Sequence, residues 1–336
     1  MTQADYFLSR HPDKDGRYHH PPGIYFGLGE SAYFSDVALG SSDHKKLAES
    51  PARFWWESRS NPMWEPDEIT PALRIGRARH CIVLDGREAF EARYARKTLN
   101  WSTKAGMVEK AAFEAQGLAP LDDEAYARTL ATKAIIEANP YLAETFTGMV
   151  GTEVSVFWNA RGVPKKARFD GLKPRAIVDL KNIANERAIA FPKACLRYID
   201  NYKAHVQAAH YLEARLAMRQ LWEDGLVHGE HDDEVLAEVV DSDEFAFVFV
   251  FLQSSGAPLS HAFQLSYRRL PGGEEWNPIF DAGRRVLDRA EANYLRCMAA
   301  FGADTAWIEP APIAELDSSQ VSLPSWFLRE ADWEGV

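Results

Sequence analysis

The chain has 336 residues, 46% of them hydrophobic and 12% aromatic, enough to bury a large core as one or two domains. Its three scattered cysteines, Cys81, Cys195 and Cys297, exclude a disulfide framework and a four-thiolate metal site, and suit a reducing cytoplasm. The net charge of −11 is unevenly spread: residues 161–203 hold eleven Lys/Arg against four Asp/Glu, whereas 221–246 hold ten acids and neither Lys nor Arg. That asymmetry predicts a basic working surface on an acidic body.

The opening "MTQADYFLSRHPDKDGRYHH" lacks the apolar core of a signal peptide. The first 40 residues, rich in Gly, Pro, Tyr and His, read as an irregular leader. "GSSDHKKLAESPARFWW" supplies an N-cap serine, a helical stretch and a proline stop. "PALRIGRARHCIVLDG" predicts a helix from about Leu73 to Leu84, with Pro near its start and Gly at its end. Another helix is expected over 121–139, between Asp122-Asp123 and Pro140. Residues 1–150 are therefore predicted to be mostly helical.

From Gly151 the hydrophobic period changes to two. "TEVSVFWN", "KKARFDGL" and "RAIVDLKNI" predict a meander of three strands. Helical sequence follows from about Glu186 to Glu223, interrupted near Pro192, and the acidic segment reads as a surface loop or short helix. "FAFVFVFL" at 245–252 predicts a central strand buried on both faces, and is far short of the roughly 20 residues a membrane span needs. "SHAFQLSYR" adds a strand, and 275–300 a closing amphipathic helix. The expectation is one α/β domain over 1–336, its helical N-terminal part (1–150) packed on a sheet-containing core (151–336). A cytoplasmic location without a membrane partner is expected.

The candidate chemistry lies in "RFDGLKPRAIVDLKN". Pro174 suits the second place of a turn over Lys173–Ala176. Counting outward from that turn places Asp170 opposite Asp179. Opposed carboxylates roughly 4.5–5.5 Å apart repel, so the pair needs a cation or a shared proton. Lys181 shares a face with Asp179, while Val178 and Leu180 point the other way, into a core. Two carboxylates suit Mg²⁺ or Mn²⁺, and a nearby lysine can orient water or stabilise developing negative charge. Gln207 and Tyr211 lie four apart on one helical face. Glu153 opens the preceding strand and His80 sits mid-helix among apolar residues. "HGEHDDE" at 228–234 has zinc-like spacing but reads as a solvated loop in so polar a stretch.

The ordered set His80, Glu153, Asp170, Asp179-Leu180-Lys181 and Gln207…Tyr211 resembles the PD-(D/E)xK nucleases. Within them it is most similar to the RecB-like exonuclease VIII (RecE-type) enzymes of phages and prophages. "GIYFGLGESAYFSDVALGSSDHKKLAESPARFWW" is similar to that family's leader, "IGRARHCIVLD" to its G-x-x-x-H-x-x-x-L helix, and "LPSW" to its ending. The resemblance covers roughly residues 24–326.

It implies a central mixed β-sheet flanked by helices, with His80, Asp170, Asp179 and the Leu180 carbonyl as metal ligands and Lys181 as the catalytic lysine. Glu153 would support the metal or its water. Gln207 and Tyr211 would position DNA or Lys181. Arg168, with Lys166 and Lys203 nearby, would contact DNA phosphates. The implied activity is Mg²⁺-dependent 5′-to-3′ digestion of linear duplex DNA (Mn²⁺ substituting), by a homo-oligomeric ring that feeds single strands to an annealing protein. Two departures stand out: Asn182 replaces the usual Thr after the lysine, and the Asp170–Asp179 spacing is short, implying a tighter turn.

Cas4- or AddB-like nucleases carry a four-cysteine iron–sulfur cluster, which three scattered cysteines cannot supply. The remaining alternatives are a restriction-type endonuclease and a non-catalytic DNA-binding or scaffold protein on the same fold.

Overall fold

The computed structural model describes residues 19–65 and 69–310. A short strand β1 (Gly23–Tyr25) leads into helices α1 (Glu30–Ser35), α2 (Ser41–Glu49), α3 (Pro51–Trp56), α4 (Pro71–Leu84) and α5 (Gly86–Arg93). Next come β2 (Tyr94–Arg96), α6 (Lys104–Gln116), β3 (Ala119–Leu121) and α7 (Asp123–Glu137). The long strands β4 (Gly151–Ala160), β5 (Val163–Lys173) and β6 (Ala176–Ile183) precede helices α8 (Phe191–Asn201) and α9 (Ala204–Glu223). The chain then forms β7 (Val227–His228), α10 (Asp233–Asp241), β8 (Glu244–Gln253), β9 (Ser260–Leu270), β10 (Gly273–Trp276) and α11 (Pro278–Phe301).

The main sheet runs β10-β9-β8-β6-β5-β4-β1-β7. It is mixed: β6–β8 and β1–β7 pair parallel, and the other neighbours antiparallel. Alternation in β8 explains its place inside the sheet. Phe245, Phe247, Phe249 and Phe251 enter the core beneath α9, while Val250 and Leu252 join Val178, Leu180, Ile136 and Leu142 on the other face. That second layer ties α7 to the sheet. The helices α4 and α7 also share a smaller core around Ile82, Phe90 and Ala125. Gly283 in α11 allows close approach to α9, since a Cβ there would lie 2.5 Å from the His205 carbonyl oxygen.

Several expectations change. Pro51, which follows the end of α2 at Glu49 as expected, also begins a new helix. With Ser50 as a side-chain N-cap it starts α3, because Pro at the first turn loses no hydrogen bond. The break in the 186–223 helical region falls at Lys203, whose φ of 49° is left-handed, and not at Pro192, which sits at the start of α8. The leader contributes a strand, β1, and the acidic segment adds a strand, β7, to the expected short helix, α10, whose N-cap is Asp232. The "LPSW" ending lies outside the described residues. Among the described residues, no helix is long and apolar enough to cross a membrane.

The basic segment does not form one surface. Lys165 is 0% exposed and bonds Glu213 (2.6 Å) and Glu291. Lys166 is buried too, donating to the carbonyls of Tyr33 (2.9 Å) and Asp36 (2.7 Å), so it does not reach a phosphate as expected. Lys203 pairs with Glu49 at the surface, and Arg161 with Asp288 and Glu291. The physical reason is that β5 is covered on both faces, so successive lysines on it must each find internal acceptors.

Candidate active site

Glu153, Asp170 and Asp179 stand in a row across three neighbouring strands. The pairings Thr152–Gly171 and Val154–Phe169 put Glu153 across from Asp170. The pairing Gly171–Val178 puts Asp179 across from Asp170 at the next position. The ladder is interrupted at both places. Glu153 adopts φ of 56°, a left-handed conformation uncommon for a non-glycine residue, and paired β5–β6 residues end at Gly171 and Val178. Into that opening the Asp170 carboxylate accepts the Leu180 backbone N–H at 2.8 Å. The strands part where the carboxylates face each other, and the same opening collects the functional groups.

Helix α4 supplies His80, whose Nδ1 lies 3.6 Å from Asp170 Oδ2. Donor atoms of His80, Glu153 and Asp170 all fall within 4.8 Å of one another. Glu153 thus stands with the potential ligands. Arg168 pairs with it and donates to the Leu28 carbonyl at 2.9 Å. This guanidinium is occupied by Glu153, in place of the phosphate contact expected from the sequence.

Asp179 is 1% exposed and is not one of those three. Its Oδ1 accepts from Lys181 Nζ (2.9 Å) and from Gln207 Nε2 on α9 (2.8 Å). Its Oδ2 is buried without a hydrogen-bond partner. Tyr211, one turn beyond Gln207, is buried with its ring against Phe169 and Phe247. It supports the site from the core side and still lines the cleft.

Burial raises the pKa of Glu153, Asp170 and Asp179, and Asp170 adds to the shift of both neighbours. Burial, then Lys181, lowers that of His80, which keeps its imidazole neutral and able to ligate. Burial penalises the Lys181 ammonium, but Asp179 and Asp170 outweigh it and hold the amine protonated. Three crowded carboxylates with one unsatisfied oxygen form a site short of positive charge. An oxygen-rich set with one imidazole fits a divalent cation of the Mg²⁺/Mn²⁺ class.

The site opens into a cleft of about 1420 Å³ between the leader helices, α4 and the strand ends. This exceeds the roughly 300–1,000 Å³ of small-molecule pockets and suits a polymer. Lys45 on α2 also approaches the site, close enough to Lys181 and Asp179 to feel their charges. Burial, then Lys181, brings its pKa down to about 8, and its Nζ donates to the Tyr202 carbonyl at 2.8 Å. Nothing local marks it, because a lysine beside another lysine on a short helix reads as solvated. In the "HGEHDDE" segment, His231 bonds the Gly229 carbonyl and Asp233, while its ring stacks on Phe26.

A family model matches residues 40–220, a span that carries every residue of this site from His80 to Tyr211. The chain belongs to the PDDEXK-like family DUF3799. That family is described as a PDDEXK-like domain of unknown function. The PDDEXK-like chain is also similar to a crystal structure from Eubacterium rectale described as a candidate exonuclease. There the TM-score is 0.50 and the identity 15%, over 86% of this chain and 97% of the other. At that identity the likeness shows the fold. No curated protein matches the sequence.

Proposed function

We propose that the protein is a divalent-metal-dependent nuclease that hydrolyses DNA phosphodiester bonds. The observation that carries this reading is the convergence of His80, Glu153 and Asp170 beside the Asp179–Lys181 pair, at the floor of an open cleft. His80, Glu153 and Asp170, with the free Oδ2 of Asp179 and the Leu180 carbonyl nearby, would hold the cation. When bound, the cation neutralises phosphate charge and makes water a stronger nucleophile at neutral pH.

The protein's own groups have separate tasks. Lys181, held as an ammonium by Asp179, supplies positive charge where negative charge develops on the phosphate. Its protonation favours that role over general base. Gln207 fixes the rotamer of Asp179, and Arg168 fixes Glu153. Tyr211 packs beneath them. Lys203, at the surface, remains available to a DNA backbone once its exposed pair with Glu49 opens.

The finer reading is 5′-to-3′ digestion of linear double-stranded DNA with Mg²⁺ or Mn²⁺. A homo-oligomeric ring and a single-strand annealing partner in phage-type recombination belong to the same proposal, and rest on the likeness of the site motifs. The test offers end-labelled linear duplex and covalently closed circles side by side. Release of label from linear DNA with circles intact is expected. Equal cutting of circles would replace this reading with an endonuclease, and DNA binding without cleavage would replace it with a non-catalytic binder.

A further inference from the structure

Arg79 precedes His80 on α4 and is only 4% exposed. Among the described residues it forms no ion pair with a carboxylate, and its side chain bonds only neutral acceptors. A buried guanidinium without an acid is costly, and replacing buried polar groups by apolar ones of similar shape is often neutral for stability. Its hydrogen bonds are few and specific. Nη1 donates to Asn182 Oδ1 at 3.2 Å and Nη2 to the Ser254 carbonyl at 2.8 Å. Both Arg79 Nε and Asn182 Nδ2 remain buried without partners. Such an arrangement is poorly made for stability alone.

Its placement suggests the use. Asn182 follows Lys181 directly on β6, and Ser254 lies just past β8, its own N–H donating to the Ile183 carbonyl at 2.8 Å. One side chain therefore connects the helix that carries His80, the end of the strand that carries Asp179 and Lys181, and the connection from β8. We infer that Arg79 is a positioning residue of the nuclease site, acting through Asn182 to set His80 against Asp179 and Lys181. The inference rests on the nuclease reading for its rate effects, but its metal-binding effect can be read independently of cleavage. It also assigns a task to Asn182: its Oδ1 is the acceptor for Arg79.

The experiment compares wild type with Arg79→Met, Arg79→Lys, Asn182→Ala and the Arg79→Met/Asn182→Ala double variant, all as full chains. Three quantities are read: Mn²⁺ affinity by calorimetry without DNA, the thermal midpoint, and kcat and KM on labelled linear duplex. Groups that orient metal ligands typically contribute about 10–100-fold to affinity or activity. The expected result for Arg79→Met is therefore a loss of about 10-fold or more in Mn²⁺ affinity and in kcat. KM should stay within about 2-fold and the melting midpoint close to wild type. Asn182→Ala should show the same losses, the double variant should be no worse than either single one, and Arg79→Lys should recover part. Unchanged Mn²⁺ affinity and kcat in Arg79→Met would overturn the inference. So would losses that track a large fall in melting midpoint, and if Arg79→Met does not fold, full activity and metal affinity in Asn182→Ala would overturn it instead. Should wild type bind Mn²⁺ yet cleave no DNA, the nuclease reading fails, while the affinity comparison still decides the positioning claim.

Discussion

Two lysines in neighbouring strands, Lys165 and Lys181, each lie among carboxylates, and their surroundings differ in one respect. Lys165 is sealed: Glu213 and Glu291 bond its ammonium, Glu291 is also held by Arg161, and no part of the side chain is exposed. Lys181 keeps 17% of its side chain exposed, forms an ion pair with Asp179 alone among the described residues, and has beside it a carboxylate oxygen with no partner. The first cluster has its charges matched, so it can do little beyond hold β5, α9 and α11 together. The second is left short of positive charge and open to a cleft, which is the condition for binding a cation and a phosphate. Buried charge by itself does not mark a site; incomplete pairing next to an opening does.

The largest effect that separates the two should come from Lys165. Lys165→Ala leaves the buried Glu291 and the half-buried Glu213 without their shared cation, and breaking a buried pair in this way costs about 3–5 kcal/mol. A fall in the denaturant midpoint without change in metal affinity is expected. A variant as stable as wild type would show that the sealed cluster is not structural. Lys181→Ala should do the reverse: cleavage falls by at least about 100-fold, with stability and Mn²⁺ binding largely kept. Cleavage at the parent rate would remove Lys181 from the chemistry. Asp179→Ala, which releases Lys181 and Gln207 together, should lose both metal affinity and cleavage.

A smaller effect concerns pH. His44 and His210 face each other in the interior with ring centroids 4.8 Å apart. Burial lowers the pKa of His44 from 6.5 to about 4, and that of His210 well below its usual value. The unfolded chain therefore binds these protons more readily. Their contribution to stability is complete above pH 6.5 and is lost as pH falls towards 4. The raised carboxylates of the site run the other way, so the diagnostic quantity is a difference. Between pH 7.5 and 5, His44→Asn should lose less stability than wild type, measured by denaturant melts. Parallel losses would mean that His44 is not buried as a neutral imidazole. The smallest effect belongs to Lys203→Ala, which breaks an exposed pair and should change stability by less than about 1 kcal/mol. If Lys203 contacts a phosphate, the salt slope of DNA binding should fall by about one; an unchanged slope would exclude that contact.

Much of this organisation is legible in the amino-acid sequence, and the parts that are not share a cause. The period-two strands around Asp170 and Asp179, and the helix that presents His80, follow from local pattern. The turn at Pro174 places the two aspartates opposite each other, as the pairing Gly171–Val178 requires. What local pattern cannot supply is the partner of a charged side chain. Lys166 and Arg168 read as phosphate contacts because they are basic and near the site, yet one is tied to the carbonyls of Tyr33 and Asp36 and the other to Glu153. Lys45 and Arg79 carry no local signal, although both approach the site from helices distant in sequence. The parting of the strands at Glu153, with its left-handed backbone, has no local signal because it depends on groups from three strands.

The central claim is that the group around His80, Glu153, Asp170, Asp179 and Lys181 is a metal-dependent nuclease centre. Its most direct test is the rate of label release from end-labelled linear duplex DNA, measured with Mg²⁺ and again in excess chelator. The account predicts release with Mg²⁺, none in chelator, and full recovery when the metal is restored. Undiminished release in excess chelator would contradict it.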